Sequence, residues 1–194
     1  MKRIGIFGGT FNPIHIGHLA VAQAAQEAMR LDKVIFVPSN WPPHKNTDTL
    51  AAAKHRFNMV RLAIKDNPRF AICDFEIRRE EKSYTIDTLG YFRRVLPAKS
   101  KLFFIIGGDT LPHLKSWRYI ADILKLVTFI VANRPGQFKK SSGKKIDYHA
   151  ITMQGIDISS SYLRRRIAEG KTVKYYVVDS VLRYIKGHRL YTKS

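Results

Sequence analysis

The sequence predicts an α/β fold: an open, mostly parallel sheet with helices on both faces and a helical segment at the C-terminal end. Three observations predict it. Short, continuous apolar runs recur at residues 4–7, 34–37, 102–106 and 126–131, as in strands covered on both faces. Stretches with helical spacing of apolar residues separate them. Two of the runs, finally, pass straight into glycine pairs, Gly8-Gly9 and Gly107-Gly108, the way strands of such sheets deliver the chain to a ligand at their carboxyl ends.

Each element follows in order. Ile4, Ile6 and Phe7 form the first strand and Gly8-Gly9 break it; Leu19, Val21, Ala22, Ala25, Ala28 and Met29 stripe a helix from Leu19 to Met29 that Leu31-Asp32 close. Val34 to Val37 is stopped by Pro38, and strand, helix and strand make a Rossmann-like half. Pro38 to Thr49, carrying Trp41-Pro42-Pro43-His44-Lys45, is a loop at the ligand-facing end. Ala51 to Lys65 reads as the second long helix, closed by Asp66-Asn67-Pro68, and Phe70 to Ile77 as the third strand region. Ser83 to Thr88 opens a helix through Phe92, Leu102 to Ile106 is the clearest strand, and a short helix is expected over Thr110 to Leu114. Leu126 to Val131 is the fifth strand, Gly136 to Lys145 a polar, basic surface loop, and Ala150 to Met153 a short last strand. A helix starts at Ser159-Ser160-Ser161 and stops at Gly170; Val177 to Ile185 is the terminal helix, packed by Val178, Val181, Leu182 and Ile185.

Composition bounds the rest. With 194 residues, one domain over 1–194 is expected. Lys and Arg number 34 against 15 Asp and Glu, a formal charge of +19 with a sequence pI near 10.2. Such a charge fits either nucleic acid or a highly phosphorylated small substrate. No recognisable nucleic-acid module accompanies it, so nucleic acid is the disfavoured partner. Cys73 is the only cysteine, which excludes an intrachain disulfide and a multi-cysteine metal site. No apolar run approaches the ~20 residues of a membrane span and no signal-peptide core opens the chain. A soluble, cytoplasmic protein without membrane partners is expected, with homo-oligomerisation left open.

Two stretches carry chemistry. Gly8, Gly9, Thr10 and Phe11 lead to His15 and His18, three apart at the mouth of a helix, so both rings can face one ligand if the helix has begun by His15. Glycines admit a phosphate to the backbone, and first-turn amides donate to it. The second stretch is Ile158-Ser159-Ser160-Ser161-Tyr162-Leu163-Arg164, where three hydroxyls and the amides of a helix start converge on any docked anion, with Arg164 one turn on. Between them, Asp109 either accepts from a ribose hydroxyl or caps the next helix, and Trp117 either stacks on a planar heterocycle or fills core.

Gly9-Thr10-Phe11-Asn12-Pro13-Ile14-His15-Ile16-Gly17-His18 resembles the G-x-F-x-P-x-H-x-G-H signature of the nucleotidyltransferase α/β-phosphodiesterase superfamily. Within it, Gly-Gly-Thr-Phe-Asn-Pro-x-His is most similar to bacterial nicotinate-mononucleotide adenylyltransferases; pantetheine-phosphate and cytidylyl enzymes usually carry Asp at Asn12. Pro-Pro-His-Lys ending at Lys45, Ser-Tyr-Thr-x-Asp-Thr from Ser83, and Ile-Ser-Ser-Ser-x-Leu-Arg ending at Arg164, with Ser161 in place of Thr, are similar too. The resemblance implies adenylyl transfer from ATP to nicotinate mononucleotide. His15, His18 and Arg164 would be the catalytic residues. Gly8, Gly9, Thr10, Phe11, His18, Gly107, Asp109, Ile158, Ser159, Ser160, Ser161 and Arg164 would bind ATP. Lys45, Tyr84, Thr85, Trp117 and Arg118 would bind the acceptor, with backbone at Thr85 and Arg118 on its carboxylate. Magnesium would arrive with ATP and need no protein cage. Sister enzymes acting on nicotinamide mononucleotide or phosphopantetheine are the alternatives, and a basic nucleic-acid-binding module is the alternative from another class.

Overall fold

The structure, a computed structural model, describes residues 1–41, 50–82, 84–133, 146–152 and 157–192. Arg3–Gly9 (β1), Lys33–Pro38 (β2), Phe70–Ile72 (β3), Lys101–Gly107 (β4), Thr128–Asn133 (β5) and Tyr148–Thr152 (β6) form one sheet in the order β3-β2-β1-β4-β5-β6. Every neighbouring pair is parallel. The chain builds outward from β1 through β2 to β3, then returns to β1's other side for β4. Strand order therefore reverses between β1 and β4, and the carboxyl ends of those two strands frame the crevice where such sheets bind ligands.

Helices Ile16–Ala28 (α1), Ala53–Ile64 (α2), Ser160–Ala168 (α5) and Asp179–Gly187 (α6) contribute to a hydrophobic cluster on one face, and Thr85–Val95 (α3) and Ile120–Leu126 (α4) to a cluster on the other. The two-residue alternation of a strand does the sorting. Phe103, Ile105, Ile130 and Ala132 join the first cluster; Leu102, Phe104, Ile106, Phe129 and Val131 join the second. Because both faces are covered, each of these strands reads as an unbroken apolar run. Each fully buried aliphatic or aromatic side chain contributes roughly 1.5–3 kcal/mol.

Several boundaries differ from the sequence reading, each for a local reason. α1 starts at Ile16, three residues before the apolar stripe, because His15 is its N-cap. It ends without a glycine: Arg30 takes the left-handed conformation, φ 45°, and Leu31 N–H donates to the Gln26 carbonyl at 2.9 Å, closing a Schellman turn. The expected third strand shortens to Phe70–Ile72. A turn takes over there, with Arg78 N–H on the Asp74 carbonyl and the buried Glu76 accepting from Thr88 Oγ1 at 2.6 Å. The short helix after β4 is a 3₁₀ turn over Leu111–Ser116, and the sequence reading missed α4 altogether. Leu126, expected in the fifth strand, is the last residue of that helix, and the strand begins two residues on. Val177 and Val178 precede α6 and do not belong to it. Cys73 is only partly buried. The loop expected over 136–145, Ser83, Met153 and Lys45 lie outside the described residues.

Candidate active site

At the end of β1 the turn is made by Phe11, not by the glycines. Gly8 and Gly9 remain within β1, and Phe11 has φ 47°. Its buried ring folds back beneath Gly9, where a Cβ would meet Phe11 Cζ at 2.8 Å. Glycine is needed for that close approach, which no other residue permits. The Phe11 ring also meets His18 edge-on, 5.1 Å between centroids.

His15 and His18 come together as their spacing suggests, with ring centroids 3.8 Å apart. The His15 backbone N–H donates to His18 Nδ1 at 3.2 Å. A neutral His18 accepting there carries its proton on Nε2, so that nitrogen is the donor. The first turn of α1 offers less than expected to an anion. Ile16 N–H already donates to the Tyr176 carbonyl at 3.0 Å and His18 N–H to the His15 carbonyl at 2.9 Å.

Asn12 joins the first stretch to the second. Its carbonyl accepts from Arg164 Nη1 at 2.9 Å, and the next carbonyl, Pro13, accepts from Ser160 Oγ at 2.9 Å, across 152 and 147 residues of sequence. Asn12 Oδ1 accepts from Ala51 N–H at 3.1 Å and from the Tyr191 hydroxyl at 2.8 Å. The three serines consequently do not all face outward. Ser159, the N-cap of α5, accepts from Tyr162 N–H at 3.2 Å; Ser160 is turned onto Pro13; Ser161 is exposed and accepts from Arg164 Nη2 at 3.3 Å. Arg164 Nε is buried and has no hydrogen-bond partner among the described residues. The following arginines diverge: Arg166 stacks on Tyr162 and Tyr176, each at 5.6 Å, and Arg165 is exposed. Ile158 is buried just before the helix.

Beneath the turn lies a guanidinium that sequence reasoning missed. Arg56, on α2, is wholly buried and donates to four carbonyls: Ala51 (2.9 Å), Thr10 (2.9 Å), Ser39 (2.6 Å) and Asn40 (3.0 Å). It thereby ties the exit of β1 to the exit of β2. Burial pulls its pKa down to about 10, so it remains a cation at neutral pH. A signal existed: Arg56 shares its helix face with Met59, Val60 and Ile64, and an arginine inside an apolar stripe at i, i+3, i+4 spacing has to find partners.

At the end of β4, Gly108 N–H donates to the Ala132 carbonyl at 2.9 Å, and the Asp109 carboxylate folds back against Gly107. Asp109 is exposed, and Thr110, not Asp109, is the N-cap of the 3₁₀ turn. Of the residues expected at the acceptor, the structure brings Arg118 and Tyr84 together. The Arg118 guanidinium lies 5.1 Å from the Tyr84 ring and 4.9 Å from the Tyr119 ring, and Tyr84 is the residue from which Thr85 opens α3. Trp117 is half-buried, its indole edge-on to Phe104 (5.9 Å) and Phe129 (6.2 Å), so packing holds the ring in place. Thr88 and Asp87 serve the fold: the former bonds Glu76 and the latter pairs with Arg79 at 3.3 Å. Among the described residues no group of three or more His, Cys, Asp or Glu could hold a metal ion, and no helix is long and apolar enough to cross a membrane. Imidazoles, an arginine and glycine-lined strand ends at a strand-order reversal make an anion site suited to polyphosphate.

Residues 6–166 match the family model described as cytidylyltransferase-like. A Shouchella clausii protein named "Probable nicotinate-nucleotide adenylyltransferase" is 45% identical over 98% of this chain and 97% of its own length. An Oceanobacillus iheyensis protein of the same name is 40% identical over the same shares. The solved structure of Plasmodium falciparum nicotinic acid mononucleotide adenylyltransferase complexed with NaAD superposes with a TM-score of 0.83 at 24% identity, covering 98% of each chain.

Proposed function

The chain belongs to the cytidylyltransferase-like family and, within it, to the nicotinate-nucleotide adenylyltransferases, and from that membership we infer that it transfers the adenylyl group of ATP to nicotinate mononucleotide. A phosphate oxygen of the mononucleotide attacks the α-phosphorus of ATP, the bond to the bridging oxygen breaks, and pyrophosphate leaves with nicotinate adenine dinucleotide as product. The attacking phosphate is already ionised at neutral pH, so no general base is needed. The protein's task is alignment and neutralisation of charge.

One observation carries the assignment of residues: Arg164 and Ser160 hydrogen-bond to the Asn12 and Pro13 carbonyls. The helix start that would hold the β- and γ-phosphates is thus fastened to the turn that would hold the α-phosphate. In this reading His18 Nε2 and His15 donate at the α-phosphate, beside backbone of Gly8, Gly9, Thr10 and Phe11. Arg164, Ser161 and the amides opening α5 take the outer phosphates, with Ile158 and Ser159 shaping their approach. Gly107 and Asp109 line the nucleotide at the end of β4. Tyr84, Thr85, Trp117 and Arg118 hold the pyridine acid, and Lys45 reaches a phosphate. ATP enters as its magnesium complex, the ion being part of the substrate, and no step above runs through it.

The acceptor tests the reading. Backbone donors at Thr85 and Arg118 suit both oxygens of a carboxylate, whereas a carboxamide turns an NH₂ toward one of them. An unpaired donor costs about 1–3 kcal/mol and the lost charge-assisted bond adds to it. The expected kcat/KM for nicotinate mononucleotide therefore exceeds that for nicotinamide mononucleotide by roughly 10²-fold or more. Comparable values would move the chain to dual specificity. Failure of both mononucleotides to release pyrophosphate from ATP would refute the reading.

A further inference from the structure

The C-terminal turn after α6 reaches back across the chain into the first phosphate turn. α6 closes in a Schellman arrangement: Arg189 is left-handed at φ 49° and Leu190 N–H donates to the Ile185 carbonyl at 3.0 Å. Tyr191 follows at φ 65°, a conformation uncommon for a bulky residue. Its ring packs against the core cluster of α1, α2 and α6, and its hydroxyl meets Asn12 Oδ1 at 2.8 Å, 179 residues away in sequence. Burial pushes the phenol above its ordinary range, which keeps it a proton donor at any working pH.

Asn12 is where several restraints on the turn converge. Ala51 N–H and the Tyr191 hydroxyl fill its side-chain oxygen, Arg164 takes its carbonyl, and Ser160 takes the carbonyl of Pro13. Thr10, two residues before, is held by Arg56, and His15, three residues after, caps α1. Asn12 is buried, so the partners on its side-chain oxygen and on its carbonyl, and not water, fix where this part of the turn sits. Among the described residues this hydroxyl bonds Asn12 alone, and phenylalanine would keep the packing of the ring.

We propose that Tyr191 is a positioning residue for adenylyl transfer: its hydroxyl, through Asn12, holds the Thr10-to-His18 turn and its two histidines in register with Arg164. The proposal rests on the function inferred above. It gives the C-terminal turn a part in the active site that acts through Asn12 and requires no contact between Tyr191 and substrate.

Tyr191→Phe tests it while keeping the ring and the packing. With ATP, magnesium and nicotinate mononucleotide, kcat falls about 10-fold and the KM for ATP changes less than about threefold, because alignment is used mainly in the transition state. The thermal midpoint moves by only a few degrees at most. Amide hydrogen exchange in the segment 10–18 speeds up by about 10-fold, with β4 and β5 unchanged. Added to Asn12→Ala, Tyr191→Phe lowers kcat by less than about twofold further, since a residue acting through Asn12 has nothing left to act through. Wild-type kcat and exchange in Tyr191→Phe overturn the proposal. So does an undiminished second drop in the Asn12→Ala background, or a fall that vanishes once rates are normalised to folded protein. If the unmutated protein makes no dinucleotide, the functional reading fails, and the exchange measurement alone decides what Tyr191 holds.

Discussion

An imidazole that accepts a backbone amide through Nδ1 has one nitrogen left for chemistry. His18 is in that state, with the His15 N–H on Nδ1 and the Phe11 ring against its face, so it needs no rearrangement to donate through Nε2. A donor fixed in this way gains most when charge accumulates on the oxygens it faces, which happens in the transition state more than in bound ATP. His18→Ala should therefore lower kcat by about 10²-fold or more, with the ATP KM within about threefold and the urea midpoint near that of the unmutated protein. Pyrophosphate release measured across an ATP titration checks this, and wild-type turnover in a folded variant removes His18 from the transition state. Arg56 is the opposite kind of residue. Four of its five N–H donors go to carbonyls, so its cation belongs to the scaffold under the site even though one of those carbonyls is that of Thr10.

At the scale of elements, the seam between α2 and α6 ties stability to pH through His55. His55 Nδ1 and the Tyr184 hydroxyl are 3.0 Å apart, Asn58 Nδ2 donates to the same hydroxyl at 3.0 Å, and the His188 ring lies 5.0 Å from His55. Burial lowers the His55 pKa, and the nearby His188 and Lys54 lower it further. Folded His55 thus takes up a proton less readily than it does in the unfolded chain. Above the ordinary histidine pKa of about 6.5 both forms are neutral and the difference vanishes; below it the unfolded chain binds the proton first and gains. Stability should fall from about pH 7.5 to about pH 5.5, and His55→Gln should flatten that fall; urea midpoints at the two pH values measure it. Elements of this kind were unevenly legible in the sequence. β1, β2, β4 and β5 announce themselves because burial on both faces leaves only apolar residues. α4 does not, since Ile120, Ile123 and Leu126 run directly into Val127 and Phe129, and the period changes from helix to strand with no glycine or proline between. The two stretches proposed to hold the phosphates were legible because their glycines, histidines, serines and arginine are close together in sequence. The bonds that fasten them together were not, since Tyr191 and Asn12, or Arg164 and Asn12, are neighbours only once the sheet has formed.

For the molecule as a whole, the question is what a charge of +19 does. The site argued above uses few cations: Arg164 at the outer phosphates, Arg118 at the acceptor, and Lys45. Most of the 34 lysines and arginines lie elsewhere, so they act on substrates through the long-range field. That field attracts anions toward the molecule and is cut off within a Debye length of ~10 Å at 0.1 M salt and ~3 Å at 1 M. Contacts inside the site, made at hydrogen-bond distance where water is partly excluded, are screened far less. The two kinds of interaction therefore separate in a salt titration. Raising KCl from about 0.05 M to about 0.5 M should lower kcat/KM for ATP and for nicotinate mononucleotide by roughly 5- to 10-fold, while kcat changes by less than about twofold. Nicotinamide mononucleotide, with one negative charge fewer, should show a shallower slope than the acid under the same conditions. A kcat/KM that is flat in salt would mean that the excess charge does not serve the small substrates, and a salt-dependent complex with an unrelated single-stranded oligonucleotide would then show what it does serve.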